Sequence, residues 1–345
     1  MQPSIISIDL AKDVFELAIA SAKYKVIERK RLNRTQFKRF IINHPRALII
    51  MEACGTAHYW GREAIAVGHR VELIPPHYVK PYRRRGKSDR IDTDAIIEAH
   101  RCEGITSVPV SSVEQQQIQQ LHRSREQWKK TRTQRINALR GFLRELGYVI
   151  PLGTAHIKKR VVQYLDDDGI PGPLKSMYAA LLGEIETLTE LIRDAEREII
   201  ALTRHNEDIQ RLQQIPGIGI LTSTALVASV GSAHRFSNGR KLSSWIGLTP
   251  REHSSGNTRF LGGISKQGDS YLRMLLTHGA RSVLHRARTL HKANEPMTPL
   301  QQWACQLEAR IGHNKATCAI ANKLARLCWA VLTTKKPYKI NPVMA

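Results

Sequence analysis

The alternation of apolar and polar residues divides the chain into a strand-rich beginning and a long helical remainder. Short apolar runs separated by hairpin-length gaps predict three strands, in SIISIDL, VFELAIAS and YKVIERKRL. Helical spacing in TQFKRFIINH is followed by ALIIME, whose continuous apolar run predicts a strand buried on both faces. Another helix, the strand RVELIP and a helix that begins within KSDRIDTDAIIEAH complete the pattern. We therefore expect an α/β domain over residues 1–108, a mixed sheet with helices packed on it.

A regular apolar seam follows at residues 174–202. Its members are separated by alternating steps of four and three: Leu174, Tyr178, Leu181, Ile185, Leu188, Ile192, Ala195, Ile199 and Leu202. This spacing predicts a coiled coil, and a helix over roughly 113–146 has part of such a seam. A seam requires a partner helix but does not specify whose chain supplies it. Residues 109–207 are thus either an intramolecular helical hairpin or an arm for homo-oligomerisation, into a dimer or tetramer.

Residues 208–335 are expected to form a mainly helical domain, with a tail at 336–345. Its opening, LQQIPGIGILTSTALVASVG, places Gly217 and Gly219 between two helical patterns. One interpretation is an ordinary turn that needs glycine for its backbone angles. The other is a helix-hairpin-helix element, in which backbone N–H groups at the start of the second helix bind a nucleic-acid phosphate.

The charge balance narrows the class of partner. Lys and Arg number 53 against 30 Asp and Glu, which gives a formal charge of +23. Such an excess of positive charge indicates a polyanionic binding partner. Nucleic acid is favoured over a membrane because no apolar run reaches ~18 residues and no signal peptide precedes the polar start. We expect a soluble cytoplasmic protein, nucleoid-associated when bound to DNA. The five cysteines form no CxxC pair, so neither a zinc cluster nor a disulfide framework is indicated.

Two basic segments are candidate nucleic-acid contacts. Within residues 121–144 only Glu126 is acidic, whereas a solvated helix face usually mixes both signs. The predicted nucleic-acid-binding residues, besides Gly217 and Gly219, are Arg123, Arg125, Lys129, Lys130, Arg132 and Arg135 of this helix and the arginine run Arg83, Arg84 and Arg85.

Several acidic residues occupy positions from which they could bind a metal ion. Asp9 ends the first strand and Glu52 ends ALIIME, and ligands of open sheets collect at such carboxyl ends. Asp89 and Asp92 lie on one side of a helical turn, whereas Asp94 lies about 200 degrees around the helix from Asp92. Acids in a first turn commonly cap free N–H groups, and that interpretation stays open. The alternative is Mg²⁺, which prefers hard oxygen ligands and can assist phosphoryl transfer.

A second chemical candidate lies in GLTPREHSSGNTRFLGGISKQGDSYLR, residues 247–273, whose glycines predict a loop. Ser254 and Ser255 precede Gly256, but loop serines are usually polar turn formers. No Asp–His pair accompanies them, so a hydrolase triad is not indicated. His253 is expected at the surface or at a phosphate rather than as a general base.

Motifs along nearly the whole chain resemble those of one family. SIDLAKDVFELA, IMEACGT, KSDRIDTDA, LQQIPGIG, FSNGRKLSSWIGLTPREHSSGNTRFLGGISKQGDSYLR and ANKLARLCWAVL are similar, in order and spacing, to segments of the DEDD-type insertion-sequence transposases related to Piv DNA invertases, the bridge-RNA-guided recombinases. The resemblance implies a ribonuclease H-like, RuvC-type first domain, a central coiled coil and a C-terminal transposase domain.

The same resemblance implies the site and the chemistry. It places a metal-binding tetrad on Asp9, Glu52, Asp89 and Asp92, and a nucleophilic serine on Ser255, with Ser254 as a departure from the family motif. It implies Mg²⁺-dependent strand exchange through a phosphoserine link to DNA, with an element-encoded noncoding RNA that pairs with donor and target DNA. Two alternatives stay open: a metal-dependent junction-resolving nuclease that uses water, and a non-enzymatic architectural DNA-binding protein.

Overall fold

The computed structural model describes residues 4–83, 89–256 and 258–339, with the backbone alone at Asp89. Its contacts form two compact units, Met1–Glu114 and Gln115–Ala345. The finer division of the second unit into an arm, a helical domain and a tail stays a prediction. No helix in the part of the chain that the structure describes is long and apolar enough to cross a membrane.

The described residues of the first unit form five strands and four α-helices, and helix α5 begins at the end of this unit. The strands are β1 Ile5–Leu10, β2 Val14–Ala20, β3 Val26–Asn33, β4 Leu48–Glu52 and β5 Arg70–Ile74; the helices are α1 Arg34–Asn43, α2 Ala57–Ala66, α3 Pro76–Val79 and α4 Asp89–Arg101. The sheet order is β3-β2-β1-β4-β5. Strand β2 is antiparallel to β1 and β3, whereas β1, β4 and β5 are parallel. The predicted mixed sheet is confirmed.

Strand alternation gives this sheet two buried faces. Ile8 and Met51 pack with Trp60 in one apolar cluster, together with residues of α1 and α2. Ile5 and Ile50 belong to the opposite cluster, which includes the apolar face of α4. Because side chains alternate along a strand, this parity directs Ser7 and Asp9 of β1 towards α4. The Ser7 hydroxyl accordingly donates a hydrogen bond to the Thr93 carbonyl oxygen at 2.8 Å.

The second unit begins with two long antiparallel helices, α5 Val113–Glu145 and α7 Gly172–Thr203. The shorter helix α6 Ile157–Leu165 lies between them in the chain. Arg125 Nη2 lies 2.6 Å from Glu196 Oε1, and Arg132 Nη1 donates to Thr189 Oγ1 at 3.3 Å. Tyr178, Ile185, Ile192 and Ile199 of the seam are buried within the one chain. An intramolecular helical hairpin is therefore present, and a coiled coil with another chain stays a prediction.

A helical bundle completes the second unit. Its elements are α8 Glu207–Gln213, α9 Ile220–Val230, α10 Gly239–Trp245, α11 Ser270–Lys292, α12 Pro299–Ile311 and α13 His313–Thr334, with strands β6 Pro250–Glu252 and β7 Leu261–Ile264. Leu276, Ala280 and Leu324 are among its fully buried core residues. The strands form an antiparallel ribbon where the glycines predicted only a loop. The ribbon escaped prediction because its residues are mostly exposed and so lack a buried-strand pattern.

Candidate active site and nucleic-acid interface

Parallel pairing places two of the expected acids side by side. Ile8 of β1 is in register with Met51 of β4, so Asp9 and Glu52 follow at neighbouring positions. Neighbouring strands lie ~4.8 Å apart, and the alternation of side chains along each strand directs both Asp9 and Glu52 to the face of the sheet that carries α4. The tertiary pairing thus joins positions that are distant in sequence at one edge of the sheet.

Arg83 binds two of the expected acids at once. Its Nη2 atom donates to Glu52 Oε2 at 2.8 Å, and its Nε atom lies 2.8 Å from Asp92 Oδ1. The Glu52 side chain is 17% exposed and that of Asp92 is 29% exposed, so water screens their repulsion only in part. The guanidinium supplies the positive charge that two converging carboxylates require. Arg83 thus forms an intramolecular bridge, and its predicted contact with nucleic acid stays a prediction.

The other residues of the acidic segment have distinct positions. Asp89 begins α4, and its side chain lies outside the described residues, as do Arg84, Arg85 and Ser88. Asp94 Oδ1 lies 2.6 Å from Arg29 Nη2 of β3, away from the bridge between Glu52 and Asp92. The helical spacing predicted that Asp94 would point elsewhere, and the structure agrees.

The acids offer a suitable donor set for a divalent metal ion, although the described side chains are not yet arranged around one. Among the described residues, no group of three or more acidic, histidine or cysteine side chains is placed to hold a metal ion. The Arg83 guanidinium binds both Glu52 and Asp92 and offsets one of their two negative charges. Asp9, Glu52 and Asp92 supply only carboxylate oxygens, which Mg²⁺ prefers. The residues therefore fit a divalent ion if Arg83 is displaced.

Ser255 lies where the β6–β7 ribbon reverses. Its backbone N–H donates to the Thr258 carbonyl oxygen at 3.2 Å, and the Thr258 N–H donates back to the Ser255 carbonyl oxygen at 3.1 Å. Gly256 has a φ of 55°, which favours glycine. Within the described residues the Ser255 hydroxyl has no hydrogen-bond partner, and the residue is exposed. A ribbon turn thus presents this hydroxyl outward with its backbone held on both sides.

The neighbouring hydroxyl of Ser254 is engaged. Ser254 Oγ donates to Glu252 Oε1 at 2.9 Å, and Arg259 Nε donates to the same oxygen at 3.0 Å. The Ser254 hydrogen bond, followed by the charge of Arg259, lowers the pKa of Glu252 below its ordinary value. These contacts distinguish Ser255, on which the resemblance places the nucleophile, from the adjacent Ser254, which departs from the family motif. Reasoning from sequence missed Glu252 and Arg259, because their meeting depends on the ribbon register.

The basic helix α5 presents two kinds of cation. Arg125 is buried against Glu196, Arg132 donates to Thr189 of α7, and Arg135 Nε lies 2.5 Å from Glu184. Such contacts favour helix pairing over phosphate binding for these three, whose role in nucleic-acid contact stays a prediction. Lys129, another predicted nucleic-acid contact, also lies near an acid, because its Nζ atom is 3.9 Å from Glu126 Oε2.

Arg123 and Lys130 differ from the paired arginines of α5. Both are exposed, and neither has a polar partner among the described residues. They are seven residues apart, two helical turns, and therefore share one face of α5. Gln127 and Gln134 are exposed on the same face. This outward face combines free cations with amide groups and is the better candidate for phosphate contact.

The two glycines of IPGIG have different surroundings. A Cβ on Gly217 would lie 2.6 Å from the Gly279 carbonyl oxygen, and its φ is 86°. Gly217 is therefore required for the close approach of this turn to α11, as the ordinary-turn interpretation holds. Gly219 is exposed at the start of α9 and has open space around it. Its phosphate contact stays a prediction.

Comparison with known proteins defines the class. A family model described as "Transposase IS116/IS110/IS902 family" matches residues 209–294, and a DEDD model of IS110 described as "Transposase" matches residues 6–147. These matches cover the acid-bearing sheet and the ribbon that carries Ser255. The five-stranded mixed sheet and helical remainder are consistent with a DEDD nuclease-like fold. The protein is a DNA transposase.

Full-length relatives define the family. The chain is 39% identical over 342 residues to "Probable family 20 transposase" of Pseudomonas aeruginosa, covering 98% of this chain and 99% of that protein. It is 39% identical to the IS1111A transposase of Coxiella burnetii, covering 97% and 91%, and 34% identical to the IS1328 transposase of Yersinia enterocolitica, covering 96% and 97%. The chain belongs to the IS110/IS116 family of insertion-sequence transposases.

Proposed function

We propose that this transposase exchanges DNA strands through a covalent link between Ser255 and a DNA phosphate. The observation that supports the proposal most is the different state of two adjacent hydroxyls. Ser255 is exposed at the turn of the ribbon, whereas Ser254 donates to Glu252. The exposed Ser255 hydroxyl can approach a DNA phosphate directly, whereas the Ser254 hydroxyl is held by Glu252 beside the turn.

The step conserves the phosphodiester. The Ser255 oxygen forms a bond to phosphorus as the bond from phosphorus to one deoxyribose oxygen breaks, and the serine proton is transferred to that oxygen, which leaves as a hydroxyl. A hydroxyl of the incoming strand later attacks the phosphoserine and restores Ser255. The energy of the broken bond is retained in the ester, so rejoining requires no further energy source.

The acids of the first unit would hold the metal ion. We propose that Asp9, Glu52, Asp89 and Asp92 bind Mg²⁺ within a RuvC-type, ribonuclease H-like domain, and that Arg83 leaves its bridge when they do. Bound Mg²⁺ would stabilise the charge on the oxygens of the reacting phosphate. Arg83, freed from the carboxylates, would then be available to a phosphate, in agreement with its predicted role.

The partners are proposed on more general grounds. Donor and target DNA follow from transposition and from the charge of +23. An element-encoded bridge RNA that pairs with both DNAs is proposed from the sequence resemblance to bridge-RNA-guided recombinases. Homo-oligomerisation is proposed because large apolar side chains are exposed where α5, α6 and α7 meet: Phe142, Leu146, Val149, Leu152, Val162 and Met177.

Covalent capture tests the proposal. Wild-type protein with Mg²⁺, guide RNA and nicked DNA that prevents rejoining is expected to accumulate a denaturant-resistant protein–DNA adduct, which peptide mapping places on the HSSGN segment. Ser255→Ala is expected to lower adduct formation on the order of 10³-fold or more while the protein still binds DNA. Cleavage by Ser255→Ala at the wild-type rate, without an adduct, would mean that water attacks, as in a junction-resolving nuclease.

A further inference from the structure

A wide basic cleft separates the β6–β7 ribbon from helices α12 and α13. Its volume is about 1180 Å³, and its walls include Arg251 and Leu261 of the ribbon region and Trp303, Lys315 and Lys323 of the two helices. Usual small-molecule sites enclose ~300–1,000 Å³. The cleft is therefore large enough for a short length of polymer.

The charge of the cleft has one sign. Five cations line it, namely Arg251, Lys266, Lys315, Lys323 and Arg326, and among the described residues of its lining none is acidic. Lys266, Lys315 and Arg326 are exposed and have no polar partner within the described part of the chain. Some basic side chains of this unit, such as Arg288, are paired with acids, whereas among the described residues these three are not. The unpaired cations indicate a polyanionic occupant.

An aromatic side chain distinguishes this cleft from a merely basic surface. Trp303 is half-buried and packs against the core of the bundle, so its ring is held in place. Lys323 Nζ lies 4.6 Å from the centre of that ring. The open face of an indole can stack a base, and a base bound there would replace Lys323. The released Lys323 would then pair with the adjoining phosphate.

The ribbon connects this cleft to the proposed nucleophile. Arg251 lies in β6 and lines the cleft, and Ser255 is four residues further along, at most ~14 Å of extended chain. A strand bound against Arg251 would thus lie near the turn that carries Ser255. A base can stack on Trp303 only if it is unpaired, which selects a single strand over a closed duplex.

We propose that this cleft binds unpaired DNA next to the phosphate that reacts, with one base stacked on Trp303 and its phosphates on Lys315, Lys323 and Arg326. The assignment of the bound strand as DNA rests on the proposed function, because Ser255 is proposed to react with DNA. Binding itself depends on the cleft alone. It can therefore be measured without strand exchange.

The test measures binding of a fluorescent single-stranded DNA 12-mer to the full chain by anisotropy, in chelator. Trp303→Ala is expected to weaken binding about 5- to 150-fold, while Trp303→Phe retains most of the affinity because it retains a ring. Lys315→Gln with Arg326→Gln is expected to lower the slope of log affinity against log salt by up to ~1.4. The matched control, Arg286→Gln with Lys292→Gln, removes two exposed charges of α11 outside the cleft and is expected to change the slope little.

Cysteine alkylation provides a second readout, because Cys318 lines the cleft. The DNA 12-mer is expected to slow alkylation of Cys318 in wild-type protein and to have no such effect in the Lys315→Gln, Arg326→Gln variant. Equal affinity of wild type and Trp303→Ala, or unaltered Cys318 alkylation, would overturn the proposal. Tighter, Trp303-dependent binding of the matching RNA 12-mer would also overturn it, in favour of an RNA site.

The two proposals fail separately. If Ser255→Ala still forms the covalent adduct, the nucleophile is wrong, whereas the Trp303 effect on DNA binding is unaffected. If Trp303→Ala binds the DNA 12-mer normally while Ser255→Ala loses the adduct, the cleft proposal is wrong and the strand-exchange chemistry stands.

Discussion

Glu52 and Asp92 bind the same guanidinium, that of Arg83, although one ends a strand and the other lies in the first turns of a helix. Two carboxylates that converge on one cation form an arrangement in which a metal ion and an arginine compete. In the structure, Arg83 therefore holds the two acids together and offsets one of their two negative charges.

Competition at this bridge makes Arg83→Gln informative. Without the guanidinium, Glu52 and Asp92 repel each other, so the variant is expected to bind Mg²⁺ more tightly and to gain more thermal stability from it than wild type does. Titration calorimetry and melting curves with and without Mg²⁺ measure both effects. Arg101→Gln is the matched control, because Arg101 pairs with Glu98 at the end of α4 that is far from Asp92. Equal Mg²⁺ affinity in wild type and Arg83→Gln would contradict the competition.

Removal of single acids tests the metal site. Asp9→Asn, Glu52→Gln and Asp92→Asn are each expected to lower strand exchange at least ~100-fold while the protein stays folded. Asp94→Asn is the control, since Asp94 pairs with Arg29 on β3, and it is expected to retain most activity. Recombination assays combined with circular dichroism separate lost chemistry from lost folding. Full activity in any of the first three would remove that residue from the site.

The two sets of cations on α5 are expected to behave differently. Arg123→Gln with Lys130→Gln is expected to flatten the plot of log DNA affinity against log salt by up to ~2 units without changing stability. Arg125→Gln is expected to cost about 1–3 kcal/mol of unfolding free energy, because it removes a charged hydrogen bond to Glu196. Salt-dependent binding and urea unfolding distinguish the two outcomes. A flattened slope with unchanged stability in Arg125→Gln would favour the phosphate contact predicted from sequence.

A buried histidine predicts a pH dependence of stability. The two ring nitrogens of His122 form hydrogen bonds with the hydroxyls of Tyr271 and Thr224, each at 3.0 Å. Burial, and to a lesser extent the nearby charge of Arg125, lowers the pKa of His122 to about 4. Since the unfolded chain binds this proton near pH 6.5, the stabilising contribution is present above that pH and is lost as pH falls towards 4. With pKa values of about 4 in the folded chain and ~6.5 in the unfolded chain, the loss between pH 7.5 and 5 is on the order of 2 kcal/mol.

Urea unfolding of wild type and His122→Gln at several pH values measures this contribution. The variant is expected to be less stable at pH 7.5 but to lose less stability than wild type on acidification. His285→Gln, an exposed position on α11, is the control and is expected to follow wild type. Parallel pH curves for wild type and His122→Gln would show that the histidine does not titrate in this way.

The exposed apolar residues near the end of the helix pair predict an oligomer contact. Val149 and Leu152 are 65% and 89% exposed. Val149→Asp with Leu152→Asp is expected to lower the molecular mass measured by light scattering, because charges at a buried contact lose their hydration. Lys159→Asp, a charge reversal on α6, is the control for added acidity. An unchanged mass in the double variant would place any oligomer contact elsewhere.

Much of the first unit was predictable from local pattern. The strands and the helix over Arg34–Asn43 were expected within a few residues, because apolar periodicity reports the burial that each element acquires. The β6–β7 ribbon was missed because its side chains are mostly exposed and bury no alternating face. The helix pair was expected, but the choice between one chain and two required the contacts from Arg125 to Glu196 and from Arg132 to Thr189.

The sequence by itself determined the types of element, the excess of positive charge and the candidate acids and serines, because these depend on residue identity and local spacing. Only the tertiary structure decided which charges meet. Arg83 binds Glu52 and Asp92, Arg125 is buried against Glu196, and Ser254 rather than Ser255 donates to Glu252. Side-chain pairing acts over a few ångströms between positions far apart in the chain, so strand register and helix packing must be known before a charge can be assigned to a partner.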